Sequence, residues 1–262
     1  MSEGKIVAEK QGHLGRVIFD NVKKHNAMSQ AMWDGLADSM EDFDADDSVR
    51  VIVLEGAGKQ AFVSGADISK FEDERANVDR IKDYGISVNR AYTSVQNALK
   101  PTIAKISGYC YGGGMGIAVC ADLRICSDDS SFCIPAAKLG VGYGHENTKV
   151  LMDLVGPSYT KEIFYTGRRF SSEEAWRMGL VTQVVAKDEL DGYVDGYVET
   201  MAGNAPLSLK TTNLIVNEML KDVDHRDMAL CERLVVECAG SQDIEEGRKA
   251  FMEKRKPEFV GR

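Results

Sequence analysis

Gly108-Tyr109-Cys110-Tyr111-Gly112-Gly113-Gly114-Met115-Gly116 is the stretch on which the fold of this chain turns. It continues an apolar, β-branched run, Pro101-Thr102-Ile103-Ala104-Lys105-Ile106, and leads into an apolar segment, 114–123, that reads as a short buried helix. Residues 101–112 are therefore expected to be one strand ending in a glycine turn. Consecutive glycines let a backbone approach a ligand and aim free N–H groups at it, and the helix that follows adds positive potential at its N-terminus. That combination suits a developing anion. A lone glycine run also fits a tight turn that needs positive φ, so the turn needs company before it means chemistry. A second glycine turn supplies it: Phe62-Val63-Ser64-Gly65-Ala66-Asp67-Ile68, after another strand. Neither turn is a phosphate loop, because no Gly-Lys-Ser/Thr follows, and neither carries the G-x-G-x-x-G dinucleotide fingerprint.

Working outward, short strand-like and helix-like runs alternate. Residues 5–10 and 15–20 read as a hairpin, 29–43 as a helix, 49–56 as a strand, and 123–127 and 131–135 as further strands. In the first helix Met32, Leu36, Met40 and Phe43 share one face, and Ser29 is placed to cap it. The alternation predicts an α/β fold with the glycine turns at strand ends. Beyond about residue 145 helical periodicity takes over: 147–156, 157–167 opening on Pro157, 171–179 with a Ser171/Glu174 capping box, then three longer helices over 188–253. Trp33 and Trp176 sit on amphipathic helices and read as core or interface residues. Residues 71–97 show no pattern from which a substrate pocket can be read.

The 262 residues are 44% apolar and 28% charged, with a net charge of −9, which describes a folded protein with a full core. An acidic chain without a basic block before its last residues is a poor nucleic-acid binder. No apolar run approaches membrane-spanning length and charges interrupt the N-terminus, so a cytoplasmic protein without a membrane partner is expected. The six cysteines form neither a Cys-x-x-Cys pair nor a Cys/His cluster, which predicts reduced, mostly buried thiols and no metal site.

Both turns, in their context, resemble the crotonase superfamily, the enoyl-CoA hydratase/isomerase group. The likeness runs through Lys24-His25-Asn26-Ala27-Met28, Ala61-Phe62 with Gly65-Ala66-Asp67-Ile68, Lys100-Pro101-Thr102-Ile103-Ala104, Gly112-Gly113-Gly114, Ala121-Asp122-Leu123-Arg124 and residues 251–259. The resemblance implies a crotonase-like spiral of ββα units over residues 1–200, with a helical C-terminal region over 201–262 that builds a homotrimer or a hexamer. It implies an acyl-CoA thioester substrate, with coenzyme A entering as part of that substrate and no separate cofactor. The thioester oxygen would lie between the backbone N–H groups of Ala66 and Gly113. Lys24, His25, Ala27, Ser64, Ala66, Asp67, Ile68, Gly113, Phe251 and Lys254 would line the coenzyme A path, with His25 toward the nucleotide end. Lys24, Lys59 and Lys254-Arg255-Lys256 are the cations available to its phosphates, and Asp67 reads as a brace for its turn.

The chain departs from the family pattern where hydratases carry two glutamates. Those positions read Gly116 and Ala136, and neither moves a proton. The loop Gly140-Val141-Gly142-Tyr143-Gly144-His145-Glu146-Asn147 offers Tyr143, His145 and Glu146 instead. Tyr143 falls where the family's methylmalonyl-CoA decarboxylase has a tyrosine, whereas the histidine of that enzyme's first oxyanion turn is Ala66 here. His145 offers an imidazole that can give or take a proton, and Glu146 equally fits a helix N-terminus. Three readings follow: a hydratase/isomerase-family lyase or isomerase working through a thioester enolate, a decarboxylase-like or other divergent lyase using Tyr143 or His145, and a catalytically silent thioester binder.

Overall fold

The computed structural model describes residues 4–70 and 77–262, so the first part of the unpatterned stretch 71–97 lies outside the described residues. One sheet runs, in spatial order, β1 (Lys5–Gln11), β2 (Leu14–Asp20), β3 (Val51–Gly56), β5 (Thr102–Ile106), β7 (Leu123–Ser127) and β10 (Gln183–Val185). β1 and β2 form the expected antiparallel hairpin, from Lys5 opposite Asp20 to Gln11 opposite Leu14, and the other neighbours are parallel. The second sheet holds β4 (Ala61–Val63), β6 (Tyr109–Tyr111), β8 (Ser131–Cys133) and β9 (Phe170–Ser171), parallel except for its last pair. Around them stand α1 (Gln30–Ala45), α2 (Val78–Gln96), α3 (Gly113–Cys120), α4 (His145–Thr166), α5 (Ser172–Arg177), α6 (Leu190–Ala202), α7 (Pro206–Met219), α8 (Met228–Ala239) and α9 (Gln242–Glu253). The fold is α/β, as the alternation predicts.

Burial on both faces explains the unbroken apolar run of β3. Ile52 and Leu54 point inward with Val17, Phe19, Ala104 and Ile106, into the core that α1 and α3 cover. Val51 and Val53 point outward with Ile103 and Ile125, against Leu190, Val194 and Val198 of α6. On α1 the predicted stripe is buried throughout, and the Ser29 hydroxyl accepts from the Met32 N–H. Trp33 joins the core beside that stripe, whereas Trp176 is 56% exposed and takes no part in it. All six cysteines are free, and every one except the half-buried Cys238 is buried. Among the described residues no helix is long and apolar enough to cross a membrane, and no group of three or more His, Cys, Asp or Glu is placed to hold a metal.

Two expectations need correction. Residues 101–112 form two strands in different sheets, because the chain turns at Gly108 with φ at +70°. A Cβ there would lie 2.0 Å from the Gln60 carbonyl oxygen, so only glycine permits the crossing. The three long C-terminal helices are four, α6 to α9, because start signals lie inside what the periodicity reads as continuous helix. Pro206 opens α7, and the side chains of Asp227 and Ser241 cap α8 and α9 by accepting from the Leu230 and Ile244 N–H groups. The bend within α4 falls at Gly156, immediately before Pro157, and the Ser171/Glu174 capping box makes both of its bonds.

Candidate functional site

The segment from Lys24 to Met28 lies alongside the first glycine turn. The Ser64 N–H donates to the His25 carbonyl (3.1 Å), the Met28 N–H to the Gly65 carbonyl (2.8 Å), and the Asp67 N–H to the Met28 carbonyl (2.8 Å). This is a parallel bridge between Met28 and Ala66, in which the residues flanking Ala66 do the bonding. The N–H of Ala66 is therefore left out of the ladder. Asn26, in the left-handed region and 1% exposed, fastens the same segment by donating to the Ala57 and Ala61 carbonyls and accepting from the Asn21 N–H. Asp67 accepts from Lys24 Nζ (2.7 Å) and from the Ser69 N–H and hydroxyl. Burial alone would push its pKa up; the bonds from Lys24 and Ser69 outweigh that and hold it below the ordinary carboxylate value. Asp67 braces its turn, and Lys24 is committed to the brace.

The second turn comes up against the first. A Cβ on Gly112 would stand 3.7 Å from the Gly65 Cα, and one on Gly65 would stand 3.9 Å from the Gly113 nitrogen. The Gly112 N–H is taken by the Cys133 carbonyl (2.7 Å). Gly113 is the first residue of α3, so its N–H has no partner within the helix. At the other end of α3 the buried guanidinium of Arg124 donates to the Ala118 and Ala121 carbonyls and to Leu180. Desolvation lowers the Arg124 pKa to about 10, still cationic at neutral pH and set against the negative end of the helix.

Aromatic side chains close over this turn. A Cβ on Gly113 would meet the Trp33 ring at 3.0 Å and the Tyr92 hydroxyl at 3.6 Å. Tyr92 donates to the Gly113 carbonyl (3.3 Å) and packs edge-on against Trp33, whose indole N–H donates to the Tyr84 hydroxyl (3.0 Å). Tyr143 lies half-buried, edge-on against Phe164 with ring centres 5.0 Å apart. Burial pushes Tyr92 well above the usual phenol value and Tyr143 up to about 12, so both are neutral O–H groups at neutral pH.

The profile of the family described as enoyl-CoA hydratase/isomerase matches residues 9–262. The chain belongs to the enoyl-CoA hydratase/isomerase family. It is similar to the crotonyl-CoA hydratase of Syntrophomonas wolfei, 30% identical over 263 residues and covering 100% of both chains. The carnitinyl-CoA dehydratase of Proteus mirabilis is 31% identical over 260 residues, covering 96% of this chain and 97% of that one. Among solved structures, an enoyl-CoA hydratase/carnithine racemase from Magnetospirillum magneticum superposes with a TM-score of 0.92 at 32% identity, covering 100% of this chain and 97% of the other. The crotonase fold expected from the sequence is the fold observed.

Within this family member, the residues expected from the sequence divide into two groups. Lys24, His25, Ala27, Ser64, Ala66, Asp67 and Ile68 share the first turn and its neighbouring segment, with Gly113 alongside. The His25 ring lies edge-on to Tyr109, 5.7 Å away, and Tyr109 stacks on Tyr111. Phe251 and Lys254 stand apart, exposed at the end of α9 and its left-handed cap, and Lys59 pairs with Asp191 at 3.7 Å. Of the loop candidates, Tyr143 is packed inward, whereas His145 and Glu146 are exposed in the first turn of α4. Ala136 is buried at the start of a single helical turn. Sequence reasoning missed Tyr92 and the position of Trp33. A tyrosine midway along an amphipathic helix carries no local signal of what it will face.

Proposed function

We propose that this protein binds an acyl-CoA thioester and stabilises its enolate between the N–H groups of Ala66 and Gly113. The observation that carries the reading is the meeting of the two glycine turns, each with an N–H its own element leaves unused. Preorganised N–H donors in a site shielded from water are worth about 3 kcal/mol each toward an oxyanion. The family profile and relatives named as enoyl-CoA hydratases support the same substrate class.

The acid or base is Tyr143. It is the one loop candidate packed inward, against Phe164, while His145 and Glu146 are exposed. A phenol whose pKa is raised to about 12 donates a proton and is a poor base. That favours a second reading, in which a malonyl-type thioester supplies the electron pair itself. Cleavage of the bond to the carboxylate releases CO2 and leaves its electrons as the enolate, whose α-carbon then takes a proton by way of Tyr143.

The test is an assay of the purified protein with crotonyl-CoA, followed by loss of the conjugated thioester absorbance, beside one with malonyl-type thioesters, followed by CO2 release. Turnover of the first supports hydration, and turnover of the second alone supports decarboxylation. Binding of both without turnover makes the protein a thioester binder, and binding of neither overturns the reading.

A further inference from the structure

Tyr92 has a second neighbour besides the glycine turn. It also lines a cavity of about 820 Å³ bounded by α2, the C-terminal half of α3, α4 and α7. The walls beyond it are mixed: Val119, Val150 and Leu154 supply apolar surface, and Glu146, Lys149 and Asp153 line the space as well. Tyr92 is thus shared: its hydroxyl bonds the Gly113 carbonyl, and the residue also lines the cavity. A side chain at Gly116 would run into the same phenol, so nothing on α3 displaces it. Trp33, edge-on at 5.5 Å, holds the ring from the other side.

We propose that Tyr92 sets acyl-chain length, acting as the wall between the thioester position and this cavity, so that the enzyme takes short acyl groups. The inference rests on the reading of Ala66 and Gly113 as the thioester site. A chain of a few carbons ends at the ring. A longer chain needs the space the ring fills, and removing the ring joins site and cavity into one channel, in which Val119, Val150 and Leu154 offer apolar surface to the added methylenes. Discrimination by a packed wall comes from overlap with the extra methylenes, an effect of about tenfold or more in affinity.

Isothermal titration calorimetry with butyryl-CoA and decanoyl-CoA, both saturated and inert to hydration, tests the proposal on the full-length protein. The wild type is expected to bind butyryl-CoA about tenfold more tightly than decanoyl-CoA. Tyr92→Phe keeps that ratio, because the ring remains, and Tyr92→Ala abolishes or reverses it. Where Tyr92→Ala fails to fold, Tyr92→Val serves for the same comparison. An unchanged ratio in the folded Ala or Val variant overturns the proposal, as it would if a second copy of the chain filled the cavity. Equal binding of both thioesters by the wild type also overturns it. Failure of the wild type to bind either thioester overturns the site reading, and the inference with it.

Discussion

The space into which a side chain at Gly116 would grow is occupied by Tyr92, whose hydroxyl oxygen lies 2.3 Å from the Cβ position. A phenol from another helix therefore fills the position at which the resemblance leads one to expect a hydratase glutamate. Restoring the carboxylate alone is expected to overpack the core. Gly116→Glu should lower stability by about 1–3 kcal/mol, measured by calorimetry, and the loss in Tyr92→Ala/Gly116→Glu should be smaller than the sum of the two single losses. Additive losses in the double variant would mean that the two positions do not share the space.

A pair of substitutions at Gly113 separates the N–H from the room around it. Both Gly113→Ala and Gly113→Pro add a Cβ against Trp33, but only proline removes the N–H, at a helix position that tolerates it. Relative to Gly113→Ala, Gly113→Pro should lower kcat on the substrate identified by the assays above by about 10²–10³. Equal rates in the two variants would remove this N–H from the chemistry.

The Lys24–Asp67 brace should show in the dependence of stability on pH. The folded pKa of Asp67 lies below the ordinary value of 3.8, so its contribution is fully present above that value and is lost as pH falls through the lower folded pKa. Asp67→Asn should therefore be less stable than the wild type at pH 7. The gap between their urea midpoints should narrow below about pH 4. A gap of constant size from pH 7 to pH 3 would contradict the brace.

Replacing Arg124 by Met keeps much of the side chain's volume but takes the guanidinium donor from the carbonyls of Ala121 and Leu180, while Ala118 keeps its bond from the Ala121 N–H. Buried acceptors stripped of partners cost about 1–3 kcal/mol, and relief of the buried charge offsets part of this. A drop in Tm with a matching loss of thioester affinity would show that α3 is held in place from its far end. A drop in Tm with affinity intact would confine Arg124 to stability.

Tyr143→Phe should lower kcat by about 10²-fold with little change in thioester affinity, because the role proposed for the hydroxyl is at the α-carbon and not at coenzyme A. With the Tyr143 phenol pushed up to about 12, the wild-type rate should show no loss from its ionisation below about pH 10. A kcat for Tyr143→Phe within a factor of two of wild type would pass the role to another group.

Much of this architecture is legible in local sequence. Ser29, Pro157 and the Ser171/Glu174 box mark helix starts because capping acts within one turn of the chain. The unbroken run of β3 marks burial on both faces, and the two glycine turns mark where backbone is laid bare. The break at Gly108 was illegible for a physical reason: the Gln60 carbonyl that forbids a side chain there belongs to a distant part of the chain.

The sequence by itself determined the α/β class, the family and the residues of the two turns, because periodicity, capping and backbone freedom are properties of neighbours along the chain. Only the tertiary structure decided what surrounds those turns. Trp33 of α1 and Tyr92 of α2 meet over Gly113, and Tyr143 of the loop before α4 packs on Phe164, through contacts between helices that no local pattern encodes. That packing excludes a carboxylate from position 116 and places neutral phenols beside the turns.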